Sequence, residues 1–548
     1  MSYTGLDSRS APRPSTSPRA GHIVSVAGAQ AVAVMEKTGA GHVRIEIGST
    51  LAIPTPHALV IGIVSAVSVP MPDAASGAEE VNLLELNLAG EIVLDPVKGR
   101  VFRRGVSCLP TIGDPVHPAD RDAVSLAYTR PDAETIEVGT LYQHPDVSAR
   151  LLVDDLIGKH FLVVGTTGCG KSTALTCILK SLLPQYRQAR IVVLDIHGEY
   201  AAAFGAQAEV INPSNLNLPF WLLNFNELTA AFATPGDEAE IEILTDAVVW
   251  AKRRYSDAFA GRVRRSQSET TCITVDTPVP FRLADLVAYC DEQLGKLDRA
   301  LHTLPYKRLK NRIETLVSDS RYSFMFGSVM IEDTMTDVLG RLFRVPVGDK
   351  PITVLDLSTV PGEIMDVVIS VISRLAFDLA SWSEARLPLM IVCEEAHRYA
   401  PAEGGGKFMP TRQALARIAK EGRKYGVALA LITQRPSELD TTILSQCSTV
   451  IAMRLSTERD QAVIRANTHE GALDLLDFLP LLGDREAIVL GQGSVMPMRI
   501  RFKDMHTARS AHVQQASFSH AWRTVDISRE ELAQIVRRWR SPAAKKGM

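Results

Sequence analysis

Two short stretches of this chain carry residue types that can act together on a phosphate. The first is GTTGCGKST, residues 165–173, where Gly165, Gly170, Lys171 and Ser172 satisfy the spacing GxxxxGK[ST]. An apolar strand, HFLVV, precedes it, and KSTALTCILKSLL follows with apolar residues at helical spacing. In such a strand–loop–helix, the backbone N–H groups of Gly165, Thr166, Thr167, Gly168, Cys169 and Gly170 cradle a β-phosphate with the helix N-terminus. Lys171 then reaches the β and γ phosphates, the Ser172 hydroxyl ligates Mg²⁺, and Thr173 closes the motif. The second stretch is CEEAHRYAP, residues 393–401, in which the greasy run LPLMIVC ends in two adjacent carboxylates. Burying two ionised carboxylates side by side is costly without a compensating cation. A nucleotide-hydrolysing loop supplies that cation. Glu394 then holds the Mg²⁺ shell through water and Glu395 polarises the attacking water. The alternative is a strand end that merely surfaces. Aspartate is the commoner residue at the metal position, so Glu394 departs from the usual pattern.

Further polar residues stand at other apolar strand ends. LDIHGEY places Asp195 and Glu199 where ligands of open α/β sheets collect, though Asp195 also suits a cap and Glu199 a surface charge. Gln434 ends the strand VALALIT and is unlike a core residue, which suits a sensor of the γ-phosphate. Arg423 precedes that strand and Arg435 follows it. Arg423 is the first candidate for an arginine finger reaching a neighbouring subunit and Arg435 the second, against a plain basic turn for each.

These residues need a scaffold, and the apolar pattern provides one. HFLVVG, RIVVLD, PITVLDLS, PLMIVCEE, VALALITQ, STVIAMRL and EAIVLG read as strands buried on both faces, with helices between them. The fold class is therefore α/β, with the nucleotide-binding domain spanning 147–505. Between about 227 and 345 the strands give way to residues repeating at three and four, a helical insertion. Residues 21–146 alternate in short runs separated by Gly, Pro and Asp, as a small N-terminal β-barrel for assembly or partner docking does. Residues 1–20 read as a disordered tail without the apolar core of a secretory signal. Residues 506–548 read as a C-terminal helix and basic tail, with Ser528 and Glu531 as a capping box and Ile527 with Leu532 as its staple.

At 548 residues the chain exceeds one core, and 46% hydrophobic with 22% charged residues is ordinary for a globular protein. No apolar run approaches the roughly 20 residues that span a bilayer. The seven cysteines, at 108, 169, 177, 272, 290, 393 and 447, form no CxxC pair and read as buried thiols of a cytoplasmic protein. With a net charge of −3, any nucleic-acid contact must come from a local patch.

Taken in order, GTTGCGKST, VVLDIHGEY, CEEAHRYAP, KEGRKYG and TQRPSELDTTILSQC resemble the HerA family, over about 147–505. The early runs GHIVSVAGAQAVAV and VIGIVSAVSV are similar, more weakly, to that family's N-terminal barrel. The resemblance implies a RecA-like P-loop ATPase core and a homohexameric, ATP- and Mg²⁺-dependent translocase or helicase on double-stranded DNA. It puts Lys171 and Ser172 at phosphates and metal, Glu394 and Glu395 at the acidic pair, Gln434 at the sensor strand end and Arg423 as the finger in trans. It also implies a partner nuclease or a sirtuin-like or other effector, in DNA end processing or anti-phage defence, and no membrane. A ring that chiefly assembles and licenses its partner is the alternative; a conjugation or secretion ATPase ranks last. Duplex contact requires Lys or Arg loops touching phosphates. Four stretches qualify: AKRRY (251–255), GRVRR (261–265), YKRLKNR (306–312) and the loop PAEGGGKFMPTR (401–412) with Lys407. Each can equally be a solvated face.

Overall fold

The computed structural model describes residues 18–36, 44–69, 82–260, 273–296, 300–327, 332–402, 409–468, 473–505 and 528–540. The first seven strands are β1 (Gly21–Ala27), β2 (Gln30–Met35), β3 (Thr50–Pro54), β4 (Leu59–Ser68), β5 (Leu83–Asp95), β6 (Gly99–Arg104) and β7 (Pro115–Pro118). They run in the order β2-β1-β7-β3-β4-β5-β6, and a further β2–β5 pairing closes six of them into a barrel. β4 explains why its sequence reads as continuously apolar. Val60 and Val64 point into the barrel, while Leu59, Ile61 and Ile63 join the core of the α/β region.

The second sheet contains β8 (Thr135–Leu141), β9 (Ser148–Leu152), β10 (Phe161–Val164), β11 (Ile191–Asp195), β12 (Ala208–Ile211), β13 (Ile352–Asp356), β14 (Leu389–Cys393), β15 (Val427–Thr433), β16 (Thr449–Ala452), β17 (Glu486–Gly491) and β18 (Met498–Phe502). Their order is β12-β13-β11-β14-β15-β10-β16-β17-β18-β8-β9. The half from β12 to β16 is parallel, and the remainder, from β16–β17 to β8–β9, is antiparallel. The sequence reading ran the barrel to about 146, but β8 pairs with β18 and belongs to this sheet. Short polar-apolar alternation looks the same in a barrel strand and in an edge strand of a mixed sheet.

Between β12 and β13 the described chain is helical, with its longest helices at Glu238–Ala260, Leu283–Leu294 and Ala300–Ser318. Glu227 ties this region to the sheet-covering helix Gly362–Trp382. Its carboxylate closes the capping box of the helix Phe225–Phe232 with Asn224. The same fully buried carboxylate pairs with Arg374 at 2.9 Å and accepts from the Ser370 hydroxyl at 2.8 Å. Removing one partner of a buried pair strands the other charge, so Glu227→Ala is expected to cost about 3–5 kcal/mol. Urea unfolding measures this as a lowered midpoint.

Among the described residues, no helix is long and apolar enough to cross a membrane. Cys169, Cys177, Cys290, Cys393 and Cys447 are buried and unpaired and Cys108 is half-buried, while Cys272 lies outside the described residues. The C-terminal helix Arg529–Arg540 opens on the expected reciprocal bonds, Ser528 N–H to the Glu531 carboxylate at 2.9 Å and Glu531 N–H to the Ser528 hydroxyl at 3.2 Å. Ile527 of the expected staple lies outside the described residues.

Candidate active site

β10 lies between β15 and β16, and Val164 is level with both Thr433 and Ala452. The loop leaving β10 therefore emerges at the carboxyl edge of the sheet, beside the ends of these two neighbouring strands. Gly165 N–H donates to the Thr433 carbonyl at 3.3 Å and Thr166 N–H to the Arg454 carbonyl at 2.8 Å, pinning the loop on both sides. A Cβ on Gly165 would sit 2.6 Å from the Cys169 sulfur, and Gly170 has φ +102°, so both turns require glycine. The helix Lys171–Leu182 starts immediately after, with its free N–H groups at the loop. The Lys171 side chain is 9% exposed; its ammonium lies 3.3 Å from the Thr166 carbonyl and 3.9 Å from Glu395.

The two carboxylates leave β14 in different environments. Glu394 is 4% exposed, and its Oε2 is buried without a hydrogen-bond partner. Burial above all, then the neighbouring Asp195 carboxyl, pushes its pKa up to about 10, so the free protein holds it as a neutral acid. Its carbonyl accepts from the fully buried Tyr399 hydroxyl at 3.0 Å, which fixes the strand end. Glu395 adopts a left-handed backbone with φ +46°. This conformation costs a non-glycine residue of order 1 kcal/mol and clusters at functional sites. It turns the carboxylate towards Lys171, the Gln434 N–H at 3.2 Å and His397 Nδ1 at 3.3 Å. His397 also meets the Thr433 hydroxyl at 2.9 Å, and burial holds its pKa below the usual value despite Glu395.

The remaining candidates divide. Asp195 is a cap: it accepts backbone N–H groups from His197, Gly198, Glu199 and Tyr200 at 2.7–3.2 Å. Glu199 instead reaches the loop, accepting from the Ser172 hydroxyl at 2.7 Å. Gln434 accepts from the Thr167 hydroxyl, joining the strand end to the phosphate loop. Arg435 sits beside it but pairs with Glu438 at 2.7 Å. Arg423 lies at the other end of β15. Seven strand residues separate it from Gln434, roughly 20 Å.

Sequence reasoning passed over His397, Thr433, Arg454 and Arg485. His397 and Thr433 were signalled by standing next to residues already chosen. Arg485 had no local signal: its N–H meets the Cys169 carbonyl at 3.2 Å from the turn before β17, far along the chain. The basic stretches are largely committed elsewhere. Lys252 is fully buried and donates to the Val275 and Thr277 carbonyls at 2.5 and 2.7 Å, so it is no DNA contact. Arg254 pairs with Asp285, Arg308 with Asp237 and Lys310 with Asp291. Residues 261–265 and 403–408, with Lys407, lie outside the described residues.

The donor set suits ATP and Mg²⁺. Among the described residues, no group of three His, Cys, Asp or Glu side chains is placed to hold a metal. Mg²⁺ does not need one, because it keeps several waters and binds through one or two protein oxygens plus phosphates. The Ser172 hydroxyl and the unpartnered oxygen of Glu394 fit that role.

Comparison with known proteins agrees with this reading. The family model for "Helicase HerA, central domain" matches residues 136–376. The "DNA double-strand break repair helicase HerA" of Pyrococcus furiosus is 24% identical over 72% of this chain and 74% of its own. The protein of the same name from Sulfurisphaera tokodaii is 25% identical over 72% and 73%. Among solved structures, VirB4 of Thermoanaerobacter pseudethanolicus shares the fold, with a TM-score of 0.50 and 16% identity over 68% of this chain and 98% of that one. With an intact phosphate loop set against two strand-end carboxylates, the chain is a P-loop ATPase whose residues 136–376 match the central domain of HerA helicases.

Proposed function

We propose that this chain is an ATP-driven DNA translocase that assembles as a homohexameric ring in the cytoplasm. It works with a partner nuclease or effector on DNA ends, in repair or in defence against phage. The observation that carries the reading is the cluster of Lys171, Glu395 and Gln434 around one phosphate loop, in a chain whose relatives are named as double-strand break repair helicases.

Lys171 and the loop N–H groups hold the β and γ phosphates, and Ser172 and Glu394 would hold the Mg²⁺ shell, Glu394 through water. Bound Mg²⁺ would neutralise charge building on the phosphate oxygens. Glu395, held by Gln434 and His397, orients the attacking water and draws off its proton. Gln434, bonded to Thr167 and to Glu395, reads whether the loop is filled. Arg423 lies too far from its own loop to touch that nucleotide, which supports a role on a neighbour's.

Steady-state ATPase, alone, with duplex DNA and with the product of the adjacent gene, tests the proposal. Duplex DNA is expected to raise turnover severalfold. Indifference to DNA with a response only to the partner would make the ring a scaffold and remove translocation.

A further inference from the structure

Lys171, Glu395 and Gln434 gather on the β14–β15 side of the phosphate loop, which sets the γ-phosphate end of a bound nucleotide there. With its β-phosphate in the loop, an elongated nucleotide carries its ribose and base to the opposite side. That side is formed by the end of β16 and the turn before β17, since β16 flanks β10 there and β17 lies next to it. Arg485 stands in this turn. Its N–H donates to the Cys169 carbonyl at 3.2 Å, and its own carbonyl accepts from the Phe502 N–H at 2.9 Å. The turn is thereby fastened to the phosphate loop and to β18 at once. A Cβ on Gly170 would lie 3.7 Å from Arg485 Cγ, so the methylene stem runs within van der Waals reach of the loop. The backbone of Arg485 is left-handed, with φ +64°. Glycine enters this region freely, whereas a long side chain does so against steric strain. Strained positions of this kind cluster at ligand sites.

The Arg485 side chain is 31% exposed and is held by Asp504 at 2.9 Å, an aspartate that is 57% exposed. An ion pair this open to water contributes little, so the guanidinium can leave Asp504 with little loss. A guanidinium is planar and cationic, and it stacks on aromatic faces. We propose that Arg485 is the nucleoside contact of the site. Its guanidinium swings off Asp504 and stacks on the base of the bound nucleotide, while the loop keeps the phosphates. Every base has a π face, so the contact strengthens the binding of ATP and GTP alike. The inference rests on the orientation that puts the γ-phosphate at Glu395, and not on DNA translocation.

Calorimetric titrations of the full-length protein with Mg·ATP and with Mg·tripolyphosphate, which lacks the nucleoside, test it. Arg485→Gly keeps the left-handed turn and removes the side chain. A thermal melt checks its folding, and Arg485→Asn, which also tolerates that backbone, replaces it if the melt is lowered. ATP is expected to bind the variant about tenfold more weakly, with tripolyphosphate unchanged. Arg485→Lys keeps the charge without the plane and is expected to lose most of the same affinity. Three outcomes overturn the proposal: wild-type ATP affinity in Arg485→Gly, equal weakening of ATP and tripolyphosphate, or full ATP binding in Arg485→Lys. The second would make Arg485 a phosphate contact, and the third a point charge. Lys171→Ala tests the orientation separately, because it should weaken both ligands. If it weakens neither, the phosphates are placed wrongly, whatever Arg485 does.

Discussion

Replacing Glu395 with glutamine is expected to leave nucleotide affinity within about threefold of wild type and to cut hydrolysis by about a thousandfold. General-base contributions span roughly 10²–10⁴ in rate, and this carboxylate also sets the position of the attacking water. The change is nearly isosteric, so the left-handed turn and the acceptor for the Gln434 N–H persist. What is lost is the charge 3.9 Å from Lys171 and the ability to take a proton. Steady-state ATPase beside a fluorescent-nucleotide titration separates the two effects. Hydrolysis within tenfold of wild type would remove Glu395 from the base role and direct attention to Glu394.

Lys171→Ala acts one step earlier. Its ammonium is almost fully enclosed, and its partners in the free protein are the Thr166 carbonyl and Glu395. A hydrogen bond to a charged group contributes about 1.5–3 kcal/mol, so affinity for Mg·ATP should fall about 10- to 100-fold and hydrolysis should drop below detection. Calorimetric titration with ATP and a turnover assay at saturating nucleotide check both parts. Wild-type affinity in this variant would mean that the phosphates are held elsewhere. The pair of variants also separates binding from chemistry: one loses both, the other only the second.

The phosphate loop was legible because its signal is local. A strand, two obligatory glycines, a lysine and a helix follow one another without interruption. Glu394 and Glu395 were legible for a similar reason, since adjacent acids at the end of an apolar strand need an explanation. Their different environments were not. Glu394 is held neutral by burial and by Asp195, from a strand some two hundred residues earlier, and no local pattern conveys that neighbour. The same holds for Asp195: its type suits a nucleotide-site carboxylate or a cap equally, and the cap shows only in the four backbone N–H groups converging on it. AKRRY reads as a basic face until packing buries Lys252 under two carbonyls. β12 and β18 escaped because AEVI and MRIRF are short and partly polar, while the apolar central strands announced themselves.

The double-faced strand β4 has a practical consequence. Because its alternate residues belong to two cores at once, the barrel has no seam at which it can be cut away. Deleting residues 18–118 would bare Ala123, Val124 and Ala127 of the helix Arg121–Ala127, which packs on β5 and β6, so a truncated protein would aggregate or melt rather than report on docking. A test of whether the barrel docks a partner must therefore use point changes on its outer surface. Mechanically, the barrel and the strand that carries the phosphate loop form one continuous block. A load hung on the first is felt at the second without an intervening hinge.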